Sequence, residues 1–227
     1  MTTSNVDGAH IAKVCKLCQH LTVSKSSYHH GELSSALTAA AMAAVERDGP
    51  QALSLRDVAH SLGVSRAAPY RHFRDRDALL AAVAAKGFED LVGIYEAALS
   101  EDGNGRQRLR RLLLSYMEFA RTRPGLHALM FESDLLQRSP PPQIMIPVAT
   151  RAYELLWRAV EGAFPKADQR WVKQRTVTML STIVGFRVLD NVGRFRPFMI
   201  NPLTRKDLVE AVLEAAIGDS PATNHLG

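Results

Sequence analysis

The sequence predicts an all-α fold, with a small N-terminal head that carries a helix-turn-helix and a larger helical body. Apolar residues recur at spacings of three and four in about nine segments, and glycine or proline separates most of these segments. No run rich in Val, Ile and Thr alternates with polar residues between hairpin turns, so we expect no strand. The composition, 46% hydrophobic and 22% charged, is typical of a globular protein.

The first 27 residues show no sustained helical period, and we expect a flexible arm there that carries three lysines. The chain's two cysteines, Cys15 and Cys18, lie in this arm. A single Cys-x-x-Cys pair supplies two of the four ligands that structural zinc needs, so we expect no metal site and no cofactor. No apolar run approaches the roughly 20 residues of a membrane span and no secretory signal core is present, which predicts a cytoplasmic protein without a membrane partner.

The helices are predicted in order from their start and stop signals. The first runs from about Glu32 to Gly49, a second, shorter helix begins at Ser54, and a third follows Ser65. Further helices are expected at about 78–99, 106–122, 125–131, 146–162, 168–191 and 204–217, with the prolines at 140–142 and the stretch 193–202 as interruptions.

Residues 54–73 have the pattern of a helix, a tight turn and a second helix. Ser54 and Asp57 predict a capping box at the start of the first helix. Gly63 is placed where the chain must enter the left-handed region to leave that helix. We expect Ser65 to cap the helix that comes after the turn.

The second helix of this motif is predicted to bury Pro69 and Phe73, because proline is tolerated in a first helical turn. The opposite face carries Arg66, Ala67, Tyr70 and Arg71. Four arginines fall between residues 65 and 76, opposed there only by Asp75, in a chain with a formal net charge of +5. This local excess of positive charge indicates a DNA-binding surface.

Each residue of the motif has an expected role on DNA. Arg66 and Arg71 are the best candidates for base contacts, because arginine pairs bidentately with guanine, although either could bind a phosphate instead. Ala67 and Ala68 could contact a thymine methyl group. We expect Ser54, Tyr70 and His72 to contact phosphates, and Ser65 is a further candidate for the DNA-binding surface. Packing or capping is the alternative for His72.

The motif resembles the TetR/AcrR family of bacterial regulators. The resemblance is carried by residues 55–65 and by Tyr70–Leu79, where Arg76 stands in place of the family's usual lysine. Tyr28–Leu33 and Ala68–Phe73 are similar to the branch that opens with Tyr-His-His-Gly-Glu/Asp-Leu and continues with Ala-Pro-Tyr-Arg-His-Phe.

The resemblance implies a DNA-binding head of three helices at about 28–88, and a body at 89–227 that binds an effector and dimerises. It further implies that Arg56 reaches DNA, that Arg76 meets a phosphate, and that a homodimer forms mainly through the last two long helices. The implied partners are double-stranded operator DNA, a second copy of the chain and an unknown small hydrophobic effector.

Candidate residues in the body are found on its apolar helices. Those that could line a pocket are Tyr116, Phe119, His127, Phe131, Tyr153, Trp157, Met179, Ile183 and Arg187, with ordinary core packing as the alternative. His127 and Arg187 lie in apolar stretches, where a polar group needs a ligand or an internal hydrogen bond as partner. Candidates for the dimer interface are Val177, Leu180, Val184 and Val188 and, in the last helix, Leu208 and Val212; packing within one subunit is the alternative.

These observations predict a transcriptional regulator, expected to be a repressor, that binds a pseudo-palindromic operator as a homodimer and is modulated by a small, largely apolar ligand. The alternative is a DNA-binding dimer without an effector, whose body is a dimerisation or protein-docking scaffold and lacks a contiguous cavity of about 300 Å³. We expect no enzyme and no catalytic residue, because the sequence has no Gly-rich phosphate loop, no His-Glu-x-x-His and no Gly-x-Ser-x-Gly.

Overall fold

The computed structural model describes residues 30–138 and 140–218 of the chain. The predicted arm, with Cys15 and Cys18, lies outside them. The chain divides into two compact units, 1–33 and 34–227. The described part of the first unit is the beginning of the first helix, and all other described residues belong to the second unit.

Nine α-helices and no strand occur in the described residues, which confirms the predicted all-α class. The helices are α1 His30–Asp48, α2 Leu55–Ser61, α3 Arg76–Ser100, α4 Gly105–Thr122, α5 Pro124–Phe131, α6 Ile146–Ala163, α7 Gln169–Asn191, α8 Pro197–Ile200 and α9 Arg205–Ile217. Shorter 3-10 helices occur at Pro50–Ala52, Pro69–Arg71 and Asp134–Gln137. None of the described helices is long and apolar enough to cross a membrane.

Two elements differ from the prediction. The helix expected after Ser65 is not an α-helix, since only Pro69–Arg71 is wound there, as a 3-10 turn. The stretch 193–202, expected to be an interruption, contains the one-turn helix α8, which has a proline at its start. A proline is favourable at that position because the missing N–H is not needed in the first turn.

The core of the body lies between α3, α4 and α6, which pack against one another. Leu91, Leu112 and Leu156 contribute one fully buried side chain from each of these helices. Helix α9 packs on α7 and α4. Asn104 and Thr204 start α4 and α9 with reciprocal capping boxes, which fixes where these two helices begin.

Helix α5 connects the head to the body. The carboxylate of Glu46, near the end of α1, accepts hydrogen bonds from the backbone N–H groups of Gly125 and Leu126 at 3.2 Å each, and from Arg123 Nε at 2.9 Å. A Cβ atom on residue 125 would lie 2.3 Å from the carbonyl oxygen of Val45. The close approach of α1 and α5 therefore requires glycine at this position.

Candidate nucleic-acid interface and internal cavity

Helix α2 begins and ends largely as its sequence predicts. The Ser54 hydroxyl accepts a hydrogen bond from the Asp57 N–H at 3.5 Å, but no return bond from the Asp57 side chain occurs among the described residues, so the capping box is only half formed. At the other end Gly63 has φ +66°. The Gly63 N–H donates to the His60 carbonyl at 3.0 Å and the Val64 N–H to the Ala59 carbonyl at 3.1 Å. These two bonds form a Schellman motif that ends α2 and turns the chain.

Most of the segment 65–73 is wound more tightly than an α-helix, although the Phe73 N–H donates to the Pro69 carbonyl four residues earlier at 2.9 Å. The N–H groups of Ala68, Arg71 and His72 each donate to the carbonyl three residues earlier, at 2.9, 3.2 and 3.0 Å. Proline lacks an N–H, so Pro69 cannot bond the Ser65 carbonyl four residues before it, and Ala68 takes that acceptor instead. The expectation that the proline would be absorbed into a regular first turn was wrong. No side-chain cap from Ser65 occurs in this part of the chain either.

The side chains of this segment nevertheless divide into the two predicted faces. Pro69 and Phe73 are buried. The exposed residues are Ser65, Arg66, Ala67, Tyr70 and Arg71, while Ala68 and His72 are half-buried. The Tyr70 side chain is 58% exposed, an unusual position for a large aromatic ring. Burial of one face therefore presents the other face to solvent, although the backbone is not α-helical.

Three arginines of the head carry positive charge that no neighbour neutralises. Arg56 at the start of α2, together with Arg66 and Arg71, is exposed and has no hydrogen bond or ion pair within the described residues. Arg74 differs, because its Nε pairs with Asp75 at 2.8 Å. Unpaired guanidinium groups on an exposed surface are available to phosphates and to guanine edges.

Arg76, expected to meet a phosphate, has a different role in the structure. Its Nε donates to the carbonyl of Leu53 at 3.0 Å, and its Nη2 donates to the carbonyls of Pro50 and Gln51 at 2.5 and 3.2 Å. Its Nη1 lies 3.7 Å from Asp77. The guanidinium thus ties the loop before α2 to the start of α3, and it is occupied within the chain.

The body contains an apolar cavity of about 220 Å³ between α3, α5, α6 and α7. Two of the predicted pocket residues, Phe131 and Tyr153, line it. The other lining residues were not predicted for a pocket: Phe88, Leu91, Tyr95, Ala149, Ala152, Leu156 and Leu180. Phe88, Leu91 and Tyr95 share one face of α3 at helical spacing, a signal that was present in the sequence.

The remaining predicted pocket residues lie elsewhere. Tyr116, His127, Met179, Ile183 and Arg187 are buried in the core and do not line the cavity. Phe119 is buried at the edge of a separate, open surface depression of about 520 Å³ between α3 and α4. Trp157 is half-buried, with its indole N–H lacking a partner in the described part of the chain.

His127 and Arg187, the two polar residues predicted to need a partner, have internal ones. The Tyr116 hydroxyl and His127 Nε2 share a hydrogen bond of 2.7 Å. Burial, together with the positive charge of Arg187, lowers the pKa of His127 to about 4, so its imidazole is neutral at physiological pH. Arg187 donates to Asp190 at 2.5 Å, to the side chain of Asn191 at 2.7 Å and to the Ala120 carbonyl at 3.2 Å. Of the two alternatives for these residues, the structure shows the internal hydrogen bond.

The candidate dimer residues lie on α7 and α9 with exposed or half-buried side chains. Val177 is 54% exposed, and the half-buried ones are Leu180, Val184, Val188, Leu208 and Val212. Further large apolar side chains at the end of α7 and in the segment between α7 and α9 are exposed: Leu189, Val192, Phe198, Met199 and Leu203. This amount of exposed apolar surface on neighbouring elements is typical of an interaction site.

Two family models match the chain. The model of the bacterial regulatory proteins of the tetR family matches residues 37–83, which include the helix-turn-helix segment. The model of the tetracyclin repressor-like C-terminal domain matches residues 109–216, which form most of the body. Together they account for both parts of the described fold.

Individual proteins show the same relationship. The nucleoid occlusion factor SlmA of Salmonella dublin is 35% identical over 96 residues, which are 40% of this chain and 48% of that protein, so the match spans about half the length of this relative. A solved protein with unknown function from Rhodococcus sp. RHA1 is 30% identical, with a TM-score of 0.71 over 85% of this chain and 97% of that one. The TetR family transcriptional regulator PfmR from Thermus thermophilus is 22% identical, with a TM-score of 0.56 over 80% of this chain and 96% of that one, which is a likeness of fold.

Proposed function

Because the chain belongs to the TetR family of bacterial regulatory proteins and is a DNA-binding transcriptional regulator, we propose that it is a repressor that binds a pseudo-palindromic operator as a homodimer. We propose further that a small, largely apolar ligand modulates its affinity for operator DNA. The head at 28–88 binds the operator and the body at 89–227 binds the ligand and the second copy. The family consists of transcription factors and not of enzymes.

The observation that carries the proposal is the outward face of the segment 65–73. Arg66 and Arg71 are exposed without partners in the described part of the chain. Pro69 and Phe73, on the opposite face, are buried and hold the segment in place. Each arginine can pair with O6 and N7 of a guanine, a contact that discriminates against other bases. Tyr70, between them in sequence, and Arg56 on α2 are placed to bind phosphates, which set the register of the head.

We expect replacement of Arg66 by alanine to weaken operator binding about 10- to 100-fold for each half-site, because each protomer of the dimer loses one bidentate base contact. Binding to random DNA should fall far less, because a single positive charge contributes little to non-specific affinity. The operator is first obtained by selecting bound sequences from random DNA, and both affinities are then measured by fluorescence anisotropy at fixed salt.

The matched control is Arg158→Ala, which removes another exposed arginine, from α6 in the body. It should leave both affinities unchanged. Equal losses on operator and random DNA for Arg66→Ala would show that this residue binds a phosphate. A wild-type protein without any sequence preference at moderate salt would overturn the proposal as a whole.

The size of the cavity favours the alternative of a body without an effector. At about 220 Å³ the cavity is smaller than the roughly 300 Å³ expected of a site for a drug-sized ligand. The same cavity still holds a smaller molecule, since an apolar cavity of about 150 Å³ binds benzene. Operator affinity measured with and without small apolar compounds distinguishes the two functions. If the body is only a scaffold, no such compound should change this affinity.

A further inference from the structure

The walls of the body cavity carry no charged side chain. None of its lining residues is acidic, basic or histidine. The charged groups of the neighbouring core are already paired, as Arg187 is with Asp190. An ion placed against these walls would lose part of its hydration without gaining a counter-ion, which is unfavourable. The ligand that fits this site is therefore neutral.

The cavity also limits the size and shape of a ligand. Its volume of about 220 Å³ lies between the roughly 150 Å³ that accommodates benzene and the roughly 300 Å³ of drug-sized sites. Two small side chains, Ala149 and Ala152, lie one turn apart on α6 and leave this space open. Opposite them Phe88 and Phe131 meet edge to face, with ring centroids 5.6 Å apart. Aromatic walls of this kind favour an aromatic guest of one or two rings.

One tyrosine of the cavity wall has no hydrogen-bond partner among the described residues. Tyr95 of α3 lines the cavity and is 2% exposed, and its hydroxyl has no hydrogen bond within the described residues. The buried Tyr116, in contrast, is bonded to His127. Burial raises the pKa of Tyr95, so its hydroxyl stays protonated and can donate or accept. A polar atom of a ligand in the cavity could therefore pair with this hydroxyl.

We propose that the cavity binds a neutral aromatic compound of one or two rings that carries a single hydroxyl or N–H group, with the Tyr95 hydroxyl as its hydrogen-bond partner. This inference rests on the proposed function, in which a small ligand modulates DNA binding, and it names the chemical class of that ligand. Tyr153 also lines the cavity and is 38% exposed, so this side of the site opens toward solvent.

The test uses three probes of nearly equal size with the full chain: 2-naphthol, naphthalene and 2-naphthoate. Binding is measured by calorimetry and by the shift in melting temperature, without DNA. We expect 2-naphthol to bind best, naphthalene about fivefold more weakly because it lacks the hydrogen bond, and 2-naphthoate on the order of a hundredfold more weakly or not at all because it is charged.

Variants assign the effect to the cavity. Tyr95→Phe should weaken 2-naphthol about fivefold and leave naphthalene unchanged. The control Ser100→Ala removes an exposed hydroxyl from the end of the same helix, outside the cavity, and should change neither. Ala152→Leu should fill the space and abolish binding of both compounds. If this variant fails to fold by circular dichroism, Ala149→Leu serves the same purpose.

The outcomes separate this inference from the proposed function. Tight binding of 2-naphthoate, an unchanged 2-naphthol affinity in Tyr95→Phe, or no binding of any probe would overturn the ligand class, even where operator binding is intact. Binding of 2-naphthol that falls as the protein concentration rises would mean that a second copy fills the site, and would overturn it as well. If 2-naphthol binds as expected but leaves operator affinity unchanged, the ligand class stands and the modulation in the proposed function fails.

Discussion

Arg76 is the residue whose role in the structure departs most from its expected one. Its guanidinium binds the carbonyls of Pro50, Gln51 and Leu53, and this planar fork is what lysine cannot reproduce. We therefore expect Arg76→Lys, which keeps the charge, to lower the free energy of unfolding by about 1 kcal/mol. Urea titration followed by circular dichroism measures this loss.

The matched control for Arg76→Lys is Arg74→Lys, because Arg74 is 90% exposed and paired only with its neighbour Asp75. An exposed pair of this kind contributes little to stability, so the control should unfold like the wild type. Equal unfolding curves for both variants would contradict the structural role assigned to Arg76.

Single residues were predictable where their partners are close in sequence. Ser54 and Gly63 act on α2 within a few residues, and local rules for caps and turns identify them. The carbonyls that Arg76 binds are 23 to 26 residues away in sequence, and no local rule indicates such a contact. Tyr95 was missed for a related reason, since its importance depends on space left by alanines of another helix.

Among the elements, α5 has the position best suited to link the cavity to the head. Its first turn is capped by Glu46 of α1, and its last residue, Phe131, lines the cavity. We expect Glu46→Gln to lower the free energy of unfolding by about 1 to 2 kcal/mol, because a carboxylate at a helix N-terminus forms charge-assisted hydrogen bonds that an amide does not. Urea titration measures this change.

The control for Glu46→Gln is Glu89→Gln on α3. Glu89 is exposed and pairs with Lys86 at 3.2 Å, an interaction of small energetic value in water. The Glu89 variant should retain wild-type stability. If Glu46→Gln did the same, α1 would be held on α5 by packing alone.

The helix bounds could be predicted closely because capping residues and glycine or proline stops mark them in the sequence. Asp75, Asn104, Asp168 and Thr204 each accept a hydrogen bond at the start of a helix. The segment 65–73 was the exception. A proline in a first turn is compatible with an α-helix in general, and here Ser65 and Ala68 closed a tighter turn instead.

At the scale of the whole molecule, the cavity and the dimer interface depend on how helices pack, which a single sequence does not give. A cavity is a gap between side chains of several elements, so the apolar spacing that predicted each helix could not locate it. Leu180 illustrates this, because it was predicted for the dimer interface and lies in the cavity wall. The position of Leu180 on α7 also means that the cavity lies next to the surface that is proposed to meet the second copy.

The proposed homodimer is testable at the exposed end of that surface. Val177 is 54% exposed, so Val177→Glu should leave the monomer folded while placing two like charges across a two-fold interface, which opposes association. We expect a lower sedimentation coefficient at micromolar concentration. We also expect weaker binding to the two-half-site operator, with a shallower dependence of affinity on salt because fewer phosphates are engaged by each complex. The control is Ile144→Glu, which alters a side chain that is 57% exposed and lies outside α7 and α9. This control should sediment as the wild type does. A dimer that survives Val177→Glu unchanged would exclude this end of α7 from the interface.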